Sequence, residues 1–336
     1  MKRITLITDI KIMAATSYTC GISNEPLLGI TVGDKFDEIV SHFPDNEALV
    51  VHHQNIKFTY RQLQEQVNVC AKALLTKGIN KGDRVGIWSS NRYEWTVLQF
   101  ATAKVGAILV NLNPSYRIHE LEYALNQSGC TMLVIADKFK TSDYQKMLLE
   151  LAPELANAAI GSLNASNLPE LKTVVSLSDS PPNGMLSWTA FMHESKACST
   201  IRLEKRQKEL DFDDPINIQY TSGTTCFPKV ASLSHHNILN NAYFVAKTMK
   251  YTDKDRVIIP VPLYHCFGMV LGNLGCMTHG ATMIYPSQGF EPLAVLQAVE
   301  REKATALYGV PTMFIAELEH PEFHRFDLSS LRTGIM

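Results

Sequence analysis

The sequence lacks several features that mark particular classes of protein. Its seven cysteines form no C-x-x-C pair and are odd in number, which argues against a disulfide scaffold and favours reduced thiols. A net charge of −2 provides no basic field for nucleic acid. The longest apolar run, 266–277, is too short to span a bilayer and contains Asn273, so it predicts a buried helix. We expect a cytoplasmic globular protein without a transmembrane segment, although 1–19 leaves a mitochondrial presequence open.

What the sequence does contain is an alternation of helix and strand patterns. Buried-strand patterns at 84–88, 107–112 and 282–285 are separated by segments with helical spacing, as at 118–126 and 292–303. Such alternation predicts an α/β fold with parallel layers, in which ligands bind at the carboxyl ends of the strands. No internal repeat interrupts the pattern.

The most informative segment is 220–230, which reads Y-T-S-G-T-T-C-F-P-K-V. Gly223 allows φ > 0, so that successive backbone N–H groups can point inward as an anion nest among the hydroxyl groups. Lys229 adds a compact positive charge, and Pro228 fixes the approach to it. The segment is not the common G-x-x-x-x-G-K-[S/T] nucleotide loop. Considered alone, it fits an ordinary Ser/Thr-rich surface turn as well as a phosphate-binding loop.

The flanking segments favour the phosphate-binding interpretation. An alternating strand pattern at 216–220 precedes the loop, and a helix pattern at 235–249 follows it. Either Ser234 or Asn237 is a suitable cap for that helix. A glycine-hinged loop between a strand and a helix is a sound geometry for holding polyphosphate.

T-S-G-T-T-x-x-P-K resembles the signature of the adenylate-forming superfamily, which includes acyl-CoA synthetases, luciferases and the adenylation domains of peptide synthetases. Three further segments resemble motifs of that superfamily in the same order: A-K-V-G-A-I-L-V-N-L-N-P at 103–114, P-L-Y-H-C-F-G at 262–268 and Y-G-V-P-T-M-F at 308–314. The residues of these segments are most similar to those of medium-chain fatty acyl-CoA synthetases. The resemblance runs from about residue 17 to the last residue.

The resemblance implies an ATP-dependent acid–thiol ligase, with fatty acid, ATP and CoA as substrates and Mg²⁺ on the phosphates. It implies catalytic roles for His265 and Lys229, with His265 at the junction of the acyl carboxylate and the α-phosphate. The same resemblance implies two sets of binding residues. The nucleotide set is Thr221, Ser222, Gly223, Thr224, Thr225 and Lys229, with Thr225 also on the metal, and the acyl or adenine set is His265, Phe267, Gly268, Tyr308, Gly309 and Pro311.

Simpler roles for several of these residues stay open at this stage. A histidine in an apolar stretch, such as His265, is often a hydrogen-bonded core residue. Tyr308 and Phe314 fit plain core aromatics equally well. The histidine pairs at 52–53 and 235–236 have no carboxylate or cysteine partner at ligand spacing, and we interpret them as surface residues.

The resemblance also implies a domain organisation. We expect an N-terminal extension at 1–30 and a partial AMP-binding domain at 31–336. Its two layered α/β subdomains are placed at about 60–195 and 210–336, joined by the charged segment 194–214. The C-terminal lid domain of the superfamily is expected to be absent, which leaves the adenylation domain incomplete.

Two departures from the superfamily pattern predict impaired activity. Cys226 and Val230 stand where glycine is usual, and a left-handed non-glycine residue costs roughly 1–2 kcal/mol. The end at Met336 leaves out the adenine and ribose motifs and the lid with its lysine. Three hypotheses follow: a truncated and impaired acyl-CoA ligase, a nucleotide- or acyl-binding module without turnover, and an inactive remnant.

Overall fold

The computed structural model describes residues 24–221 and 228–336. Within these ranges the fold is mixed α/β, built on a seven-stranded and a six-stranded sheet. The seven-stranded sheet contains, in spatial order, Lys229–Ser234, Pro215–Thr221, Ile108–Leu112, Arg84–Trp88, Met132–Ile135, Thr173–Ser176 and Leu186–Ser187. The six-stranded sheet contains Thr333–Ile335, Ala306–Tyr308, Arg256–Ile258, Thr282–Tyr285, Glu47–Val51 and Ile56–Thr59.

Most neighbouring strands run parallel, as the helix–strand alternation predicts. The exceptions are the pair Glu47–Val51 with Ile56–Thr59 and the pair Pro215–Thr221 with Lys229–Ser234, both antiparallel. A small hairpin, Lys138–Phe139 with Ser142–Asp143, stands apart from the two large sheets.

Helices cover the sheets and connect their strands. The α-helices are Val32–His42, Tyr60–Thr76, Tyr93–Val105, Ile118–Ser128, Tyr144–Leu151, Trp188–His193, Thr200–Lys208, His235–Thr248, Gly275–His279, Pro292–Glu302 and Pro311–Leu318. Short 3₁₀ turns occur at His52–Gln54, Pro153–Asn157, Glu194–Ala197 and Phe323–Arg325, and Phe267–Leu274 is a π-helix. None of the helices within the described ranges is both long and apolar enough to cross a membrane.

Helix Tyr93–Val105 shows how the two sheets are joined. All but its first residue are buried, including Thr96 and Gln99. Thr96 is hydrogen-bonded to the Tyr285 hydroxyl of the six-stranded sheet, and Gln99 Nε2 donates to the Met269 carbonyl. Because buried polar groups need hydrogen-bond partners, these two bonds fix both the rotation of the helix about its own axis and its position against Tyr285 and Met269.

Local signals in the sequence set several helix starts. Ser234 and Asn237, the two predicted cap residues, act together: Ser234 Oγ accepts from Asn237 N–H, and Asn237 Oδ1 accepts from Ser234 N–H. This reciprocal arrangement satisfies two backbone donors that a helix start otherwise leaves open. The helix is thereby held directly after strand Lys229–Ser234, a strand for which the sequence pattern makes no prediction.

The sheets divide the chain differently from the ranges 60–195 and 210–336. Strands Pro215–Thr221 and Lys229–Ser234 belong to the seven-stranded sheet, although they lie in the second range. Glu47–Val51, from before the first range, pairs with Thr282–Tyr285 in the six-stranded sheet. The domain boundaries, including 1–30 and 31–336, stay predictions, and the charged segment between the halves contains helix Thr200–Lys208.

The interpretation of all four paired histidines as surface residues is wrong for His235. Its side chain is fully buried, and its Nδ1 accepts from the backbone N–H of Val32. Burial lowers the pKa of His235 to about 4, against the opposing effect of Asp214. Within the described residues its Nε2 has no hydrogen-bond partner. His52 is also engaged, with Nε2 at 3.0 Å from Glu302 Oε1.

His235 should make the fold sensitive to acid. The unfolded chain takes up this proton near pH 6.5 and the folded chain only near 4, so stability is lost as the pH falls through that window. The shift corresponds to about 3 kcal/mol. His235→Asn keeps an acceptor for Val32 N–H but does not titrate there, so urea unfolding at pH 7 and pH 4 should show a smaller loss. His236→Asn, the neighbouring control, should retain the wild-type loss; equal pH dependence in both variants would contradict the assignment.

Candidate functional site

A cavity of about 420 Å³ lies where two parallel strands of the seven-stranded sheet end. This is the edge at which the alternation pattern places ligands. The cavity brings together two of the predicted site residues, Thr221 and His265, from distant parts of the chain. Its lining residues are Asn111, Asn113, Tyr116, Gln219, Tyr220, Thr221, Pro228, Tyr264, His265 and Cys266.

The hydroxyl-rich loop leaves and rejoins the sheet at this cavity. Thr221 and Lys229 are paired in register at the ends of two antiparallel strands that lie before and after this loop. Lys229 is exposed at the end of its strand. The predicted binding residues Ser222, Gly223, Thr224 and Thr225, together with Cys226, lie outside the described residues.

Val230 does not have the conformation that the sequence pattern predicts. It lies within strand Lys229–Ser234, opposite Tyr220, and therefore has extended backbone. Extended backbone suits a β-branched residue, because its side chain fits the pleated surface. The expected misfit of Val230 in a left-handed conformation is therefore wrong.

His265 sits on a tight turn that leads into the π-helix. Its Nδ1 accepts from the backbone N–H of Phe267 at 3.1 Å, and its carbonyl accepts from Gly268 N–H. Since Nδ1 is occupied as an acceptor, a neutral imidazole carries its proton on Nε2. His265 is exposed, in contrast to the core role considered for it.

Close backbone packing explains why position 268 is glycine. A Cβ atom there would lie 2.4 Å from the carbonyl oxygen of Pro262 and 2.9 Å from the Cα of Leu263. The first turn of the π-helix therefore packs directly on the backbone of the segment before His265. π-helical turns are rare and often accompany functional sites.

Buried amide side chains form the floor beneath the His265 turn. Asn217 Nδ2 donates to Asn111 Oδ1, and Gln219 Nε2 donates to Asn217 Oδ1. Asn111 Nδ2 in turn donates to the carbonyl oxygen of Tyr264, next to His265. The sequence motifs did not identify these residues as part of the site. Two signals were present: Asn111 and Asn113 fall inside the motif at 103–114, and the buried strand 215–221 contains polar residues.

Aromatic side chains close the cavity on the side of helix Ile118–Ser128. Tyr116 and Tyr220 meet edge to face at 6.4 Å between ring centroids. The Tyr220 hydroxyl donates to the carbonyl oxygen of Ala124, and burial raises the pKa of Tyr116 to about 12. Both phenols are therefore neutral at pH 7 and offer hydrogen bonding without charge.

The remaining predicted residues are placed next to this turn but do not line the cavity. Phe267 is half-buried and stacks on Tyr308 at 5.5 Å between ring centroids. Tyr308 is fully buried, and its hydroxyl donates to the carbonyl oxygen of Leu271 in the π-helix. Gly309 faces the ring of Phe314, which a Cβ would approach to 3.0 Å, and Pro311 begins the next helix.

No metal centre is preformed in the part of the chain that the structure describes. Residues 24–221 and 228–336 contain no group of three or more His, Cys, Asp or Glu side chains placed to hold an ion. The cavity itself offers amide, hydroxyl and imidazole groups, which can hydrogen-bond to a carboxylate or a phosphate. Its chemistry is that of a binding site for a polar or anionic group.

Comparison with known proteins supplies a family. The family model described as AMP-binding enzyme matches residues 36–336. The chain is similar to proteins named medium-chain acyl-CoA ligase ACSF2, mitochondrial: 44% identical over 322 residues to that of Danio rerio and 43% over 324 residues to that of Mus musculus. Each alignment covers 95% of this chain and 53% of the relative.

A solved structure agrees on the fold. The N-terminal domain of FACL13 from Mycobacterium tuberculosis superposes with a TM-score of 0.75 at 22% identity, over 91% of this chain and 69% of that chain. At that identity the likeness concerns the fold alone. The chain spans about half the length of the curated relatives it matches.

Proposed function

Because this chain belongs to the family of AMP-binding enzymes, we propose that it takes part in ATP-dependent fatty acyl-CoA ligation. In the first step a carboxylate oxygen bonds to the α-phosphorus of ATP while the bond to pyrophosphate breaks. In the second step the sulfur of CoA bonds to the acyl carbon and AMP leaves. The observation that carries the proposal is the cavity shared by Thr221 and His265 at the ends of the sheet strands.

The hydroxyl-rich loop is the proposed site of the β- and γ-phosphates. The strands on either side of it pair Thr221 with Lys229, and Thr221 lines the cavity. We assign Ser222, Gly223, Thr224 and Thr225 to the same role on sequence grounds. Mg²⁺ prefers oxygen ligands and shares them with substrate phosphates. Thr225 is its proposed protein ligand, and Mg²⁺ would neutralise phosphate charge there.

His265 is the proposed contact for the acyl carboxylate and the α-phosphate. The Phe267 N–H holds its Nδ1, which leaves the Nε2 proton of the neutral ring to donate to an anionic oxygen. A fixed donor aimed at developing charge stabilises a transition state without reorganisation, typically by about 3 kcal/mol. Phe267, Gly268, Tyr308, Gly309 and Pro311 are the proposed acyl or adenine side, and a medium-chain fatty acid is the proposed substrate class.

Lys229→Ala tests the phosphate role. Removal of one exposed cation that contacts phosphate should weaken ATP binding about tenfold, which corresponds to about 1.4 kcal/mol. Titration calorimetry with ATP and Mg²⁺ measures the change, and Lys254→Ala, at another exposed lysine, is the matched control. Equal ATP affinity in the two variants would remove Lys229 from the site.

A second candidate is binding without turnover, which needs only the amide, hydroxyl and imidazole groups that line the cavity. ATP–pyrophosphate exchange with a medium-chain fatty acid separates the two functions, because exchange requires the adenylation step. Exchange supports the ligase, impaired or not. Binding of an acyl-adenylate analogue without exchange supports the binding module, and failure of both supports an inactive remnant. For the compartment we propose the cytoplasm, with the mitochondrion as the alternative, because the relatives of Danio rerio and Mus musculus are named mitochondrial.

A further inference from the structure

One buried asparagine connects the two sheets at the segment before His265. Asn91, which follows strand Arg84–Trp88, is 2% exposed. Its Nδ2 donates to the carbonyl oxygen of Val261 at 2.9 Å, and its Oδ1 accepts from Leu263 N–H at 2.9 Å. A single side chain thus pairs with two backbone groups of the segment that follows strand Arg256–Ile258.

We propose that Asn91 is a positioning residue for His265. This inference rests on the proposed function, in which His265 contacts the reacting groups. An amide with its donor and acceptor both engaged specifies a position and an orientation, whereas a single bond leaves rotation free. The segment Val261 to Leu263, which follows a strand of the six-stranded sheet, is therefore held by a residue that follows a strand of the seven-stranded sheet.

The position of this segment is transmitted to His265 through backbone contacts. His265 N–H donates to the Pro262 carbonyl oxygen at 3.2 Å. The first turn of the π-helix packs on the same carbonyl, where the missing Cβ of Gly268 makes room. A shift of Pro262 therefore moves both ends of the His265 turn, and with them the Phe267 N–H that selects the imidazole tautomer.

The test compares Asn91→Ala with Asn240→Ala in the complete chain. The side chain of Asn240 also makes two backbone hydrogen bonds, accepting from the N–H of Leu28 and donating to its carbonyl oxygen. Asn240 is 6% exposed. Asn240 lies outside the cavity lining. Comparison of the two variants therefore separates the general effect of losing a buried amide from the specific effect of releasing the segment Val261 to Leu263. Ring nitrogen NMR of ¹⁵N-histidine protein is the readout, and His265→Gln identifies the signals of His265.

Wild-type protein should show the neutral ring of His265 as one tautomer, with Nδ1 as acceptor and the proton on Nε2. Asn91→Ala should change these signals towards a tautomer mixture and weaken binding of a non-hydrolysable acyl-adenylate analogue at least tenfold. Asn240→Ala should leave both unchanged. Asn91→Asp, which retains the acceptor for Leu263 N–H, serves the same comparison if the alanine variant does not fold.

Two results would overturn the inference: unchanged His265 signals in the Asn91 variants, or the same change in Asn240→Ala. Failure of the wild-type chain to bind the analogue counts against the proposed function instead, because the tautomer of His265 is measured without any ligand. A global loss of structure would alter all histidine signals, so a change confined to His265 is the result that supports positioning.

Discussion

Gly268→Ala is expected to lower the free energy of unfolding by about 3 kcal/mol, because overpacking against a rigid neighbour costs up to this amount. The new Cβ would meet the Pro262 carbonyl oxygen at 2.4 Å and its carbon at 2.7 Å. Both atoms are backbone, so no rotamer change relieves the contact. The segment before His265 must move, and ligand affinity should fall with stability.

Urea unfolding measures the effect, with Gly275→Ala as the matched control in the adjoining helix. At Gly275 the nearest atom to an added Cβ is at 3.8 Å, which is ordinary contact. Alanine is the better helix former by about 1 kcal/mol, so this variant should be neutral or more stable than wild type. Equal unfolding midpoints and slopes for the two variants would show that contact between the added Cβ at position 268 and the Pro262 carbonyl does not lower the free energy of unfolding.

Asp255→Ala should destabilise the protein by about 3 kcal/mol, since several charge-assisted hydrogen bonds are lost together. The buried carboxylate of Asp255 accepts from the Thr252 N–H and the Thr305 hydroxyl. It also accepts two bonds from the Arg332 guanidinium, at 3.0 and 2.7 Å. These contacts attach strand Thr333–Ile335 to the edge of the six-stranded sheet.

Asp253→Ala is the control, because the contact of Asp253 with Asn46 is made through its backbone carbonyl. Hydrogen exchange adds a local readout to the unfolding measurement. In Asp255→Ala the amide of Gly309, which donates to the Ile335 carbonyl, should exchange faster than in Asp253→Ala. Unchanged protection of Gly309 would mean that the strand is held without Asp255.

Much of the fold can be predicted from local patterns in the sequence. Strands such as Arg84–Trp88 and Thr282–Tyr285 are short apolar runs between turn residues, and both have the predicted bounds. The π-helix at Phe267–Leu274 could not be predicted, because apolar spacing does not distinguish its hydrogen-bond pattern from that of an α-helix. Strand Glu47–Val51 was missed, since its partner Thr282–Tyr285 lies far along the chain and leaves no local signal.

In the candidate site, too, local sequence patterns identify some residues, whereas those that depend on distant contacts are missed. Motif residues Thr221 and His265 line one cavity, and their roles in binding stay predictions. The supporting amides of Asn91 and Asn111 act through long-range contacts, which spacing along the chain does not reveal. The extended conformation of Val230 likewise depends on its pairing with Tyr220, so a pattern of expected glycines is misleading there.

The pairing of Glu47–Val51 with Thr282–Tyr285 affects the timing of folding during synthesis. Leu49 is made 234 residues before its partner Met283, the difference between positions 283 and 49. At about 5–20 residues per second, the interval is on the order of 10–50 s. Meanwhile the hairpin formed with Ile56–Thr59 presents an open strand edge, a surface that invites association with other chains. The six-stranded sheet can therefore be completed only after Thr282–Tyr285 has been made.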